Sequence, residues 1–123
     1  MKLLISIKPK YVEQIMLGNK TFELRRRFTS KDIDSMLIYR TRDEMKIVGE
    51  VHIKKVHKLK LPELWKMVKG KSFVSKEEFY AYYENLTEGY AIELDEINHY
   101  DNYVSLKEYG VKRPPQSYMF VNA

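Results

Sequence analysis

The sequence predicts an α+β domain in which a small, mostly antiparallel β-sheet closes into a barrel and carries inserted and flanking helices. Three observations predict it. About six short segments have the apolar runs or period-two alternation of strands, and three stretches with helical spacing lie between them. The chain has 123 residues, enough to bury one hydrophobic core but not two. We therefore expect one domain spanning residues 1–123.

The N-terminal part reads as strand, helix and strand. Residues 3–7, LLISI, form an apolar, β-branched run typical of a buried strand. Pro9 suits the first turn of a helix, which Gly18 ends. The following pattern has period two, so Phe22 and Leu24 share one face of a strand and the charged residues share the other.

Two strands, two helices and two more strands follow. We predict strands at 36–40, 46–53, 89–97 and 117–121, with helices beginning near residues 61 and 76. Gly49 lies inside a predicted strand, which indicates a bulge or a close approach of another backbone. Ser75 and Glu78 have the spacing of a capping box. The segment between the last two strands is expected to be a loop with one helical turn.

Positive charge is concentrated in the first half of the chain. Residues 1–60 contain 15 Lys and Arg against 7 Asp and Glu, and residues 61–123 contain 7 against 10. This asymmetry favours an anionic partner, most commonly nucleic acid. Lysines 54, 55, 58 and 60 fit a stripe that follows a phosphate backbone. The alternative for the whole basic half is an ordinary solubilising surface.

Composition excludes several classes of site. The chain has no cysteine, so it has no disulfide, thiolate metal site or cysteine nucleophile. His52 and His57 lack metal-ligand spacing, and we expect neither a metal nor a cofactor. There is no signal-peptide pattern and no apolar run long enough for a membrane span, so a cytoplasmic protein, monomeric or weakly dimeric, is expected.

Three segments resemble a known family. Gly18, Lys20, Glu23 and Arg25 fit the pattern G-x-K-x-x-E-x-R, after a strand and a helix that begins IKPKY. This pattern resembles ASCH domains of the PUA-like superfamily. IVGEVHI at 47–53 is similar to the family's next core strand, and RPPQSYMF at 113–120 to the closing strand of a subgroup described as PUA-like transcriptional regulators. Together the segments cover nearly the whole chain.

The resemblance implies a pseudo-barrel with a cleft lined by the motif segment. ASCH domains are widely proposed to bind RNA, and this implies a role in RNA metabolism or transcription-related regulation in a prokaryote or phage. A few members are enzymes. One group hydrolyses N4-acylated cytosine nucleosides with a Lys, Thr and Glu set, and others are nucleases. Here Glu23 occupies the position of the nucleophilic threonine, and Thr21 lies two residues earlier. Glu50 falls where the resemblance places the acidic member of the set.

The candidate cleft combines Lys20, Glu23 and Glu50. A carboxylate can accept from the exocyclic amine of a base, and a lysine or arginine can contact a phosphate. These residues suffice for binding. As catalytic residues the same three would need to activate a water, because a lysine between two carboxylates is held charged. The alternative for Glu23 is a surface salt bridge to Arg25 or Lys20.

Arg25 shares the strand face of Glu23 and is the first candidate for contact with a phosphate or base. Gln116 and Ser117 either hydrogen-bond a base edge or cap a turn, and strand tyrosines Tyr39, Tyr90 and Tyr118 either stack a base or belong to the core. The predicted ligand-binding set is Lys20, Glu23, Arg25, Arg27, Arg40, Glu50, Gln116 and Ser117. Three functions remain open: an RNA- or nucleotide-binding module with RNA as its partner, a small hydrolase of modified nucleosides, and a ligand sensor in a regulatory system.

Overall fold

The computed structural model describes residues 2–122. One helix follows the first strand and two follow the fourth, in the order that the sequence predicts. In chain order the elements are β1 (Lys2–Ile7), α1 (Pro9–Met16), β2 (Phe22–Arg25), β3 (Ser35–Arg40), β4 (Lys46–Lys60), α2 (Leu61–Val68), α3 (Lys76–Tyr82), β5 (Glu88–Val104), a 3₁₀ turn (Leu106–Tyr109) and β6 (Tyr118–Val121). No helix within these residues is long and apolar enough to cross a membrane.

The strands form one mixed sheet with the order β2-β5-β4-β3-β1-β6. Strands β1 and β3 are parallel, and the other neighbours are antiparallel. The α+β class and the mostly antiparallel sheet are confirmed. The predicted closed barrel is not, because within residues 2–122 no ladder joins β2 to β6 at the two ends of the order. Both end strands have only four residues, so each offers a short edge for pairing.

The two faces of β2 are both covered. Phe22 and Leu24 are 4% and 8% exposed and pack with α2 and α3, which confirms their predicted alternation. Phe79 of α3 is fully buried in the same cluster. The other face of the sheet carries the main core, which includes Ile5 from β1 and Ile92 from β5. Polar side chains on this second face of β2 therefore lie between packed elements and not on an open surface.

Strands β4 and β5 are longer than the sequence predicts. The strand predicted at 46–53 continues to Lys60, and the strand predicted at 89–97 continues to Val104. Their extensions are largely exposed and polar, so the sequence pattern there gives little indication of a strand. These residues are extended because β4 and β5 pair with each other. The register shifts between Val51 and Ile53 and again before Lys55. Such irregularities bend the two-stranded ribbon that β4 and β5 form.

Gly49 marks a close backbone approach, as predicted. The β4–β5 register shifts beside it, between Ile47 and Gly49. A Cβ atom on Gly49 would lie 2.5 Å from the carbonyl oxygen of Asn98 and 2.9 Å from Cε of Met16. Helix α1 and strand β5 therefore pack against β4 at a distance that only glycine permits.

Helix α3 begins with the predicted capping box. The amide of Glu78 donates to Oγ of Ser75 at 3.1 Å, and the amide of Ser75 donates to the Glu78 carboxylate at 2.8 Å. The reciprocal bonds satisfy two free amides of the first turn. They fix the start of a helix that lines the cavity described below.

Candidate functional site

A cavity of about 720 Å³ opens beside β2. Its walls come from the C-terminal end of β1, the start of α1, β2, the turn after β3, helix α3 and the segment before β6. This volume lies within the range of about 300–1,000 Å³ typical of small-molecule sites. Four cationic side chains line it against two carboxylates, a net charge of +2: Lys8, Lys20, Arg25, Arg42, Glu23 and Glu78.

One wall of the cavity is a charge triad of buried Lys20, buried Glu23 and partly buried Arg25. Oε1 of Glu23 lies 3.5 Å from Nζ of Lys20, and Oε2 lies 2.7 Å from Nη2 of Arg25. Lys20 is 3% exposed and Glu23 6%. A single carboxylate with little solvent exposure therefore lies between two cations, and the net charge of this wall is positive.

Backbone hydrogen bonds after α1 turn Lys20 inward. Its amide donates to the carbonyl of Gln14 at 3.0 Å, and the amide of Thr21 donates to the carbonyl of Lys71 at 2.9 Å. Nζ of Lys20 then donates to the carbonyl of Ser72 at 2.7 Å. The loop between α2 and α3 thus holds the ammonium group against the cavity.

Burial lowers the pKa of Lys20 and outweighs the opposing effect of Glu23. This differs from the prediction that flanking carboxylates hold the lysine charged. The prediction assumed two carboxylates, whereas only Glu23 lies beside the ammonium group in the described structure. The nearby charge of Arg25 lowers the pKa further.

Arg25 spans the opening between the two ends of the sheet. Its Nη1 donates to Oγ of Ser117 at 3.1 Å, and its Nη2 donates to the carbonyl of Ser6 at 3.0 Å. Nε and Nη2 both donate to Glu23. The guanidinium therefore connects β2 to β1 and to the start of β6 where no ladder does so within the described chain.

Two tyrosines outside the predicted ligand-binding set line the cavity. Tyr11 lies on α1 with its ring centroid 4.9 Å from Nζ of Lys20, and Tyr82 lies on α3 and is 41% exposed. The strand tyrosine Tyr39 is only 2% exposed and packs in the core, so it cannot stack a ligand. The available signal for Tyr11 was its place in IKPKY, directly after the strand that precedes the motif.

The structure does not bring Glu50 to Lys20 and Glu23. Glu50 accepts from Nζ of Lys2 at 2.9 Å and from Oγ of Ser35 at 2.6 Å. It lines a separate cavity of about 360 Å³. Its register position opposite Leu37 and Asn98 places it away from β2, because β5 lies between β4 and β2. The predicted three-residue cleft is therefore not assembled.

The remaining predicted residues lie in different surroundings. Gln116 lines the main cavity, and Ser117 contacts Arg25. Arg27 is exposed beyond the end of β2. Arg40 donates to both carboxylate oxygens of Asp43 at 2.8 Å and holds the pKa of that carboxyl down at about 2. Arg40 thus stabilises the turn after β3.

A histidine on the β4–β5 ribbon gives a testable pH dependence. Nδ1 of His52 lies 2.6 Å from Oδ1 of Asp95, and this hydrogen bond raises the pKa of His52 above its usual value of about 6.5. The pair stabilises the fold fully below that pH, and its contribution is lost as the pH rises through the folded pKa. We expect an NMR titration of the ring to show the raised midpoint, and Asp95→Asn to move it down. An unchanged midpoint in that variant would contradict the pairing.

Residues 3–112 match a family model described as a domain of unknown function, DUF365. The chain belongs to this family. The DUF365 chain is also similar to an ASCH domain-containing ribonuclease of Zymomonas mobilis subsp. mobilis, with 27% identity over 117 residues that cover 92% of the chain and 79% of the relative. Large ribosomal subunit protein uL22 of Ureaplasma parvum serovar 3 is 28% identical over 86 residues. The match covers 70% of the chain but spans only 28% of that ribosomal protein's length.

The fold of this DUF365 member is that of an ASCH domain. The crystal structure of an ASCH protein from Zymomonas mobilis superposes with a TM-score of 0.88 at 23% identity, covering 98% of this chain and 87% of that one. A serine-to-alanine mutant of the same protein gives a TM-score of 0.89 at 22% identity, covering 98% and 88%. The resemblance drawn from the sequence motif is confirmed.

Proposed function

We propose that the protein binds RNA by taking one unpaired nucleotide into the cavity beside β2. The observation that carries this proposal is the charge triad of Lys20, Glu23 and Arg25 on the cavity wall. Its net positive charge suits a ligand that carries phosphates, and its position is fixed by hydrogen bonds before any ligand arrives. The triad is thus a preorganised polar wall in a cavity large enough for a nucleotide.

The chemistry of the cavity fits both parts of a nucleotide. Lys20 and Arg25 retain N–H donors beyond those used within the protein, and the Glu23 carboxylate has lone pairs to spare. Such groups can hydrogen-bond the edge of a base. Tyr82, which is 41% exposed, offers an aromatic ring on which a base can stack, and Tyr11 lies beside Lys20 on the cavity wall. A single-stranded ligand suits these contacts because its bases can be splayed out of the stack.

The relatives agree with an RNA ligand. One similar protein is described as a ribonuclease and another as a ribosomal protein. The uL22 protein is much longer than the segment that matches this chain, so its name supports only the class of ligand. These similarities, together with the positive cavity, favour RNA over a purely protein partner.

Cleavage of the bound RNA is a second candidate function. The observation that favours it is the lowered pKa of Lys20, because an amine closer to neutrality can accept a proton during catalysis. Hydrolysis of N4-acylated cytosine nucleosides has less support. Neither Thr21 nor Glu50 lines the main cavity among the described residues, so the Lys, Thr and Glu set is not assembled.

The first experiment measures binding and turnover together. We expect the protein to bind an unstructured RNA at low salt, and Lys20→Met to weaken binding about tenfold or more, because a hydrogen bond to a charged group contributes about 1.5–3 kcal/mol. Lys66→Met removes an exposed lysine of α2 outside the cavity and is the matched control. Thermal unfolding of both variants checks that each is folded.

The outcomes separate the candidate functions. RNA binding without cleavage supports the binding module, whereas cleavage that Lys20→Met abolishes supports catalysis in this cavity. If the wild type releases a carboxylic acid from N4-acylated cytidine and Lys20→Met does not, the result would support the hydrolase instead. An absence of measurable affinity for RNA at low salt would overturn the proposal.

A further inference from the structure

Most cations expected to contact a ligand are already used within the protein. Arg25 donates four hydrogen bonds to protein acceptors, and Arg40 is held by Asp43 and Glu13. Two other cations, Lys8 and Arg42, also line the cavity. Within residues 2–122 neither side chain makes a hydrogen bond or ion pair, and both residues are exposed. Among the described residues they are therefore the two cavity cations that no protein acceptor holds.

The parallel pairing of β1 and β3 places these two cations after the C-terminal ends of neighbouring strands. Ile7 is in register with Arg40 at the ends of the two strands. The amide of Thr41 then donates to the carbonyl of Ile7 at 3.1 Å. Lys8 directly follows Ile7, and Arg42 directly follows Thr41. Lys8 and Arg42 thus follow paired strand ends and line the same cavity, although they are 34 positions apart in the sequence.

The turn that carries Arg42 is held in one conformation. The amide of Met45 donates to the carbonyl of Arg40 at 2.9 Å, and the Arg40 guanidinium grips Asp43. Within this turn Arg42 has a φ of 71°, in the left-handed region that favours glycine. A glycine would fit this backbone better, so the turn itself does not account for the arginine, which lines the cavity.

We propose that Lys8 and Arg42 clamp one backbone phosphate of the bound RNA at the cavity mouth, while the triad of Lys20, Glu23 and Arg25 contacts the base. This inference rests on the proposed RNA-binding function and assigns the phosphate to residues outside the sequence motif. The planar guanidinium of Arg42 can bind two phosphate oxygens at once, and Lys8 adds a compact charge. No carboxylate is bonded to either side chain within the described chain, so neither has to leave a protein partner when the phosphate binds.

If Lys8 and Arg42 bind a phosphate, their loss should weaken binding only of ligands that carry one. RNA and ribonucleoside monophosphates carry the phosphate, whereas nucleosides do not. We expect Arg42→Ala and Lys8→Ala each to weaken binding of RNA and of monophosphates about tenfold, and to leave nucleoside binding unchanged. Each variant should also reduce the slope of log affinity against log salt concentration by about 0.7, the value for one contact to a single strand.

The measurement is fluorescence anisotropy for an unstructured RNA, with NMR titration for the monophosphates and nucleosides. Lys66→Ala removes one positive charge from α2, outside the cavity, and controls for net charge. Arg42→Gly separates binding from folding. It should lose the same affinity as Arg42→Ala while its melting temperature stays at or above that of the wild type, because glycine tolerates the left-handed turn.

Two results distinguish failure of the clamp from failure of the proposed function. If the wild type binds RNA and both Arg42→Ala and Lys8→Ala behave as Lys66→Ala does, the clamp is wrong and RNA binding stands. Equal affinity of the wild type for nucleosides and monophosphates would also overturn the clamp. If the wild type binds no RNA at low salt, the proposed function fails and the clamp fails with it.

Discussion

Replacing Glu23 with glutamine is expected to lower the free energy of unfolding by about 3–5 kcal/mol, the usual cost of removing one partner of a buried ion pair. The carboxylate lies between Lys20 and Arg25, and its side chain is 8% exposed. Glutamine preserves the shape but leaves two largely buried cations without a counter-charge. Urea unfolding of the wild type and the variant measures the difference.

This loss should depend on pH in a defined direction. Burial already lowers the pKa of Lys20, and removal of Glu23 takes away the interaction that opposes this shift. The folded variant then binds fewer protons than its unfolded chain, so its stability rises with pH up to the pKa of an unfolded lysine, about 10.4. The deficit relative to the wild type should therefore shrink as the pH increases toward that value.

Two further variants test the origin of the effect. The double variant Lys20→Met with Glu23→Gln removes one cation as well and should recover part of the lost stability. Glu44→Gln, at an exposed position in the turn after β3, should change stability by less than about 0.5 kcal/mol. A loss below about 1 kcal/mol for Glu23→Gln would show that the triad is not shielded from water as described.

Replacing Gly49 with alanine is expected to destabilise the protein by about 3 kcal/mol. The new methyl group would lie 2.5 Å from the carbonyl oxygen of Asn98 and 2.9 Å from Cε of Met16. The methionine end can move, but the carbonyl belongs to the paired backbone of β5 and cannot move without breaking the ladder. Thermal and urea unfolding measure the loss.

Gly110→Ala is the matched control for Gly49→Ala. Gly110 has a φ of 70° and no atom within 4 Å of an added Cβ, so its substitution tests backbone strain without a clash. We expect it to cost about 1 kcal/mol. Adding Met16→Ala to Gly49→Ala should not restore stability, because the contact with the carbonyl remains. Recovery in that double variant would place the strain at Met16 instead.

Local patterns in the sequence were sufficient for the elements that position the triad. The alternation of Phe22 and Leu24 against Glu23 correctly gave the two faces of β2, because the period of a strand is fixed by its backbone. The glycine inside β4 correctly indicated a close approach. These features depend on neighbours along the chain, and no knowledge of sheet order was needed.

The parts of the site that depend on sheet order could not be predicted in the same way. Glu50 was grouped with Glu23 on the assumption that their strands are neighbours, whereas β5 lies between β2 and β4. Lys8 and Arg42 line the same cavity because β1 pairs in parallel with β3, and nothing in the local pattern specifies that pairing. Tyr11 and Tyr82 lie on helices whose tyrosines resemble ordinary core residues until the packing is known.

The guanidinium of Arg25 also bears on the risk of aggregation through the free edges of the sheet. Strands β2 and β6 are the two edges of the sheet, and an unpaired edge is a template for a strand from another molecule. Here both edges are four residues long, and a charged side chain bonded to Ser6 and Ser117 occupies the space between them. An incoming strand would have to displace those bonds and bury the charge. The hydrogen bonds of Arg25 to Ser6 and Ser117 thus oppose edge-to-edge aggregation of a sheet with free edges, while the cavity beside them stays open.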